Sequence, residues 1–207
     1  HHLGLKIPEN TLHGWFKPAC ELLKPLYDEL KNQVLTVDYI QVDETTLPVI
    51  NKQSHKAVKE YLWMVRAVTS GLVFFYYDDG SRSQETARNL LVPFKGYLQS
   101  DGYAAYNVFE GKEGGCLVGC LAHIRRHYEV AKEENRALAE YVLAKIQKLY
   151  RIEQVADVEE VSPETRMSRR WEQALPILDE IEKWMEETYP KVLPKIRIGQ
   201  SIAYAYT

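Results

Sequence analysis

The stretch Val37-Asp38-Tyr39-Ile40-Gln41-Val42-Asp43-Glu44-Thr45-Thr46 constrains this chain more than any other. Val37, Tyr39, Ile40 and Val42 give it the character of a short buried strand, with Asp43 at its end. An ionised carboxylate in so central a strand needs a cation or hydrogen-bonding partners to offset its lost hydration. A second acid stands in a similar setting in Tyr97-Leu98-Gln99-Ser100-Asp101-Gly102-Tyr103. Two strand-borne carboxylates, Asp43 and Asp101, point to a shared divalent-metal site. For either acid alone the competing explanation is a turn or a helix cap. Glu44 follows Asp43 on the opposite face of the strand and is expected to point away from the metal, as a surface or loop-pairing residue.

With 207 residues, 45% of them hydrophobic, the chain can bury an ordinary core, as one domain with an appendage. No apolar run approaches the roughly 18 residues of a membrane span, and no secretory leader opens the chain. Three cysteines, an odd number, argue against a disulfide scaffold, so the expectation is a cytoplasmic protein without a membrane anchor. The opening His1-His2 is given no role. A net charge of −3 is not that of a strong nucleic-acid binder taken whole, but the charge is uneven. Residues 153–187 hold 11 acids against 4 bases, which makes that segment a poor candidate for phosphate contact. Any DNA contact is expected from the part that carries Asp43 and Asp101, or from parts of the full protein outside this sequence.

Taken in order, residues 3–16 read as a turn feeding a helix capped at Asn10 or Thr11, with Pro18 and Pro25 expected to bend or split it. This segment resembles the second half of a helix-turn-helix; an ordinary amphipathic helix packed on the domain is the alternative. Three strands follow, at about 37–50, 60–69 and 72–77, joined by a basic loop (Lys52, His55, Lys56, Lys59) and by the Ser70-Gly71 hairpin signal. Residues 83–94 read as a helix, 97–101 as a strand, 103–109 as a short helix and 116–121 as a strand, with a further helix from about Ala122. A three-stranded meander followed by helix, strand, helix, strand, helix is the order of a ribonuclease-H-like α/β fold. In that fold the first and fourth strands lie side by side, which would bring Asp43 and Asp101 together. Residues 123–189 are nearly all helical, with Ser162-Pro163-Glu164 as a helix start and Trp171, Leu175, Leu178, Ile181 and Met185 as one apolar stripe.

Carboxylates around Mg²⁺ or Mn²⁺ are the residue types that two-metal phosphoryl transfer needs, because these hard cations prefer oxygen ligands. Cys116, Cys120, His123 and His127 form a cluster whose spacing is not that of a standard zinc finger, and no zinc is expected. His123 is read either as facing the active site or as a core histidine bonded to backbone. Arg125 and Arg126 are candidates for DNA phosphate contacts, one gripping phosphate and the other pairing with the acidic helices; Lys52 and Lys56 are further candidates.

Three blocks carry a family resemblance: Val42-Asp43-Glu44-Thr45, Leu98-Gln99-Ser100-Asp101-Gly102-Tyr103-Ala104-Ala105-Tyr106-Asn107 and Cys120-Leu121-Ala122-His123-Ile124-Arg125-Arg126. In that order they resemble motifs of the DDE transposases of the insertion sequence 66 family (TnpC type), and the likeness extends from about residue 3 to 207. The resemblance implies a ribonuclease-H-like core that cuts and joins DNA at transposon ends with Mg²⁺ or Mn²⁺. Asp43 would be the first acid of the catalytic triad and Asp101 the second. His123 would match the Cys-x-x-His element placed near the scissile phosphate in several transposase superfamilies. The family's third acid is a Glu expected beyond Thr207; the rival within the chain is Glu134, 33 positions after Asp101. The implied organisation is an N-terminal helical segment (1–34), the catalytic core (35–127) and a helical insertion running into the start of the C-terminal helix (128–207). Residues 1–207 alone are expected to cleave little or not at all, and the complete protein to act on transposon-end DNA as a homo-oligomer. A ribonuclease-H-like nuclease, or a non-catalytic DNA-binding or assembly module, are the alternatives.

Overall fold

The computed structural model describes residues 7–51 and 53–206. Lys52 therefore lies outside the described residues, as does the segment before Ile7. The chain divides into two compact units, one ending at Val118 and the other beginning at Gly119.

The first unit is built on a five-stranded mixed sheet of order β3-β2-β1-β4-β5. Strand β1 (Tyr39–Ile50) pairs antiparallel with β2 (Ala57–Ala67), and β2 with β3 (Val73–Tyr77). On the other side of β1 lies β4 (Gly96–Ser100), parallel to it, with β5 (Gly115–Gly119) at the edge. This is the α/β, ribonuclease-H-like sheet that the order of elements predicts. Alternation sorts the side chains: Ile40 and Val42 of β1 and Trp63, Val65 and Ala67 of β2 share one face and are buried. Helix α2 (Gln84–Leu91) covers that core with Ala87, Leu90 and Leu91, and starts where Ser83 Oγ accepts the Thr86 N–H. A 3₁₀ turn, Ala104–Phe109, adds Tyr106 and Phe109. Two boundaries differ from expectation, and the first is helix α2, which ends at Leu91 and not at 94. Strand β2 begins at Ala57, so Lys59 stands on a strand and not in the loop.

Helix α1 runs unbroken from Glu9 to Leu35 with Pro18 and Pro25 inside it, and Pro8, not Asn10 or Thr11, is its N-cap. The expected split does not occur. Each proline removes one N–H from the helix ladder, but the turns around both are exposed, so water can serve the carbonyls left behind. Only the last turns join the core, through Val34, Leu35 and Leu30, while Leu12, Trp15, Phe16, Leu22, Leu23 and Leu26 stay exposed. Tyr27 marks the changeover: its hydroxyl donates to Phe75 O (2.7 Å) and its ring meets Phe74 edge-on. Among the described residues no helix precedes α1, so the helix-turn-helix likeness has no first helix here.

The second unit is helical: α3 (Leu121–Ala131), α4 (Arg136–Val158), α5 (Pro163–Arg169), α6 (Leu175–Thr188) and α7 (Arg197–Ala205). A π-helical turn, Arg170–Ala174, joins α5 to α6. Its core gathers Tyr128, Val142, Ile146, Ile181, Met185, Ile198 and Ile202. The apolar stripe expected along α6 divides: Ile181 and Met185 are buried, whereas Trp171, Leu175 and Leu178 line an open groove with Leu121, Leu149 and Tyr150. Glu153 of α4 receives Arg170 bidentately (2.7 and 2.8 Å) and Arg166 at 3.0 Å, which ties α4 to α5 and the π-helical turn.

Two outcomes follow. At Gly96 φ is +134°, and an added Cβ would lie 2.3 Å from the carbonyl oxygen of Asp38, the residue just before β1. Gly96→Ala should therefore lower stability by about 2–3 kcal/mol in urea unfolding, against about 1 kcal/mol for Gly111→Ala, where nothing stands in the way. Arg170, with Arg166 beside it, holds the Glu153 carboxyl below the ordinary glutamate range. A depressed acid stabilises above its unfolded pKa and loses that contribution as pH falls through its folded one. Glu153→Gln should thus destabilise by about 1 kcal/mol near neutral pH, and the gap from wild type should close as pH drops below about 4.

Candidate metal-binding carboxylate site

The site is set by the parallel pairing of β1 with β4. Their matched rungs are Tyr39 with Tyr97, Ile40 with Leu98 and Gln41 with Gln99. Continued by two residues, that register sets Asp43 level with Asp101. β4 ends at Ser100, and Gly102, at φ +75°, turns the chain away immediately after the acid. Carboxylate oxygens of Asp43, Glu44 and Asp101 all lie within 4.8 Å of one another. Two of the three acids are aimed by the main chain. Asp43 Oδ1 accepts the Glu44 N–H and Asp101 Oδ1 the Tyr103 N–H, both at 2.9 Å, so each carboxylate has an orientation before any ligand arrives.

Glu44 overturns the expectation that it points away. Alternation does put it on the face opposite Asp43, but that is the buried face, and its side chain is fully enclosed. Tyr106 donates to its Oε1 (2.6 Å) and Arg82 to its Oε2 (3.2 Å). Arg82 lies 3.8 Å over the Tyr103 ring, and the Tyr103 hydroxyl donates to Arg82 O at 2.9 Å. Burial pushes the Glu44 carboxyl up, opposed by the Tyr106 hydrogen bond and the Arg82 charge. The Tyr106 phenol is pushed up as well, chiefly by burial and then by Glu44. The acids converge because the β1–β4 rungs stop at Gln41 and Gln99, so no paired β4 backbone separates the two faces of β1 at Asp43 and Glu44. A signal for this was present. Ile40 and Val42 are apolar at alternate positions, so Glu44 continues the core-facing series and had to be a buried carboxylate with partners.

Three carboxylates so close repel one another, and Arg82 offsets only part of their charge. An all-oxygen donor set of this kind suits a hard divalent cation such as Mg²⁺ or Mn²⁺, which Asp43, Glu44 and Asp101 could hold.

The remaining sequence candidates are dispersed. Lys56 is exposed at the end of the β1–β2 loop. His123 is on α3 of the second unit, where its Nδ1 is buried without a hydrogen-bond partner among the described residues. Arg125 pairs with Glu129 of its own helix (2.9 Å), and Arg126 is exposed. His127 stacks on Tyr204 with ring centroids 4.0 Å apart. Glu134 accepts the Arg197 N–H at 2.6 Å and so caps the start of α7. Cys116 is exposed on β5, and Cys120 takes the N-cap position of α3.

Comparison with known proteins is consistent along the whole chain. The model of the "Transposase IS66 family" matches residues 1–207. Among curated relatives, the uncharacterized protein y4qI of Sinorhizobium fredii (strain NBRC 101917 / NGR234) is 27% identical over 220 residues, covering 99% of this chain and 40% of that protein. The uncharacterized protein y4jD of the same organism is 26% identical over 215 residues, covering 97% of this chain and 42% of its own length. The chain thus spans about two fifths of the length of these relatives.

Tyr106→Phe removes the hydroxyl that serves the enclosed Glu44 oxygen. It should lower stability by about 1–3 kcal/mol, read by urea unfolding at neutral pH with an unchanged denaturant slope.

Proposed function

Since the chain belongs to the IS66 transposase family, we propose that its first unit is a metal-dependent DNA strand-cleaving and strand-joining core acting at transposon ends. Asp43 and Asp101 are its metal ligands in this reading. The observation that carries it is the convergence of three carboxylates from the middle of β1 and the end of β4, two of them aimed by backbone N–H groups.

Bound Mg²⁺ or Mn²⁺ would supply Lewis-acid polarisation of the phosphate and an activated attacking oxygen. The chain's own residues do the positioning. Asp43 presents an oriented oxygen from β1 and Asp101 one from the residue that directly follows β4, so the pairing of the two strands brings them together. Glu44 adds negative charge behind them and is locked by Tyr106 and Arg82. Arg82, held over Tyr103, tempers the mutual repulsion of the acids. Glu134 is assigned a structural role, because its carboxylate is already engaged at the start of α7.

Metal binding tests the reading without requiring turnover. Mn²⁺ titrated into the protein and followed by calorimetry should bind at one locus, and Asp43→Ala or Asp101→Ala should each weaken it at least tenfold, about 1.4 kcal/mol or more. Mn²⁺ affinity unchanged in both variants would remove the carboxylate site from the mechanism. A preference for RNA–DNA hybrid over transposon-end duplex in cleavage assays of the full-length protein would favour a ribonuclease instead.

A further inference from the structure

The β1–β2 hairpin is longer than the sheet it belongs to. β4 flanks β1 only at Tyr39–Gln41, and β3 flanks β2 only at Leu62–Arg66. Among the described residues, the outer rungs (Thr46 with Tyr61, Leu47 with Glu60, Pro48 with Lys59, Val49 with Val58, Ile50 with Ala57) have no strand on either side. They form a two-stranded arm about 17 Å long, at roughly 3.4 Å per residue. In its loop Asn51 Oδ1 accepts the N–H groups of Gln53 and Ser54, both at 2.9 Å, and Asn51 N–H donates to Lys56 O. Nothing in the first unit's core requires this extension, since Leu47, Pro48, Ile50, Ala57 and Lys59 are all exposed.

We propose that this arm is a nucleic-acid contact that lies along the duplex beside the phosphate engaged at Asp43 and Asp101. The inference rests on the DNA-processing reading above and assigns the surface that grips the flanking DNA. Three features select that occupant. The arm is continuous with the site, because one strand carries Asp43 and then runs on as the arm. Charge comes second: the described residues of the arm, 45–51 and 53–61, carry Lys56, Lys59 and His55 against one acid, Glu60, in a protein whose net charge is −3. Among the described residues neither Lys56 nor Lys59 has an ion-pair partner, and Lys59 rests over the Tyr61 ring at 5.3 Å. Shape is third, for the major groove of B-DNA, about 12 Å wide, admits a two-stranded β-ribbon. The rival occupant, another strand pairing along the edge of the arm, is disfavoured at its middle. There Pro48 lacks an N–H and opposes Lys59, the two residue types that block edge-to-edge pairing.

The test uses the intact protein and a fluorescein-labelled transposon-end duplex, read by anisotropy across a salt series without divalent cation. Lys56→Ala/Lys59→Ala should bind at least tenfold more weakly near 0.1 M salt, with a slope of log affinity against log salt shallower by about two. Ile50→Ser should weaken binding with no change in slope. Wild-type affinity and slope in the lysine variant, alongside clear binding by the parent, would overturn the arm's role and leave the carboxylate reading intact. No binding by the parent at any salt would overturn both. If Ile50→Asp converts a dimer to a monomer in sedimentation velocity while DNA binding is unchanged, the arm pairs with protein and the proposal fails.

Discussion

Three rungs of parallel pairing between β1 and β4 are the constraint on which the site depends. Residues 43 and 101 are far apart in sequence, and local structure alone gives neither of them a reason to meet. The parallel register does so at once, by setting the two strand ends level, after which Gly102 lets the chain leave without carrying Asp101 past the site. Gly96 serves the same pairing from the other end. It enters β4 so close to Asp38 O that no side chain fits, and the Tyr97 N–H to Asp38 O bond (2.8 Å) begins the ladder there.

Around that constraint the chemistry is layered by burial. Asp43 and Asp101 are half-buried and oriented by neighbouring N–H groups, whereas Glu44 is enclosed and supported by side chains from two other segments, Arg82 before α2 and Tyr106 in the 3₁₀ turn. The Tyr106 ring also packs edge-on against Trp63 and Tyr103, so one side chain joins the apolar core to the polar cluster. A core tied to the site in this way transmits any loosening of the sheet to the carboxylates, and a change at Glu44 acts on folding as well as on charge.

How much could be read from residues alone differed by element. The meander and its hairpin were legible because apolar alternation and Ser70-Gly71 are local signals, each acting within a few residues. The pair Asp43 and Asp101 was legible once the order of strands suggested a topology. Glu44 was misjudged because alternation gives a face but does not say which face is open at that rung. Helix α1 was misjudged in a different way. The apolar period along it reads as a packed helix, yet Leu22 is 81% exposed and Phe16 70%, and only the turns near Leu35 reach the core. A period specifies a face and leaves its partner unspecified.

The sequence by itself determined the type and order of the elements, the core-facing positions of each strand, the two acids worth pairing and the family motifs that carry them. Those are consequences of side-chain size, polarity and backbone preference acting over short range. Tertiary structure decided the rest: that Glu44 joins the cluster, that Glu134 caps a helix, and that the β1–β2 hairpin outruns its sheet. Each of these depends on which backbone lies beside a given residue, and that is settled by strand register and by where neighbouring strands end, not by the residue's own preferences.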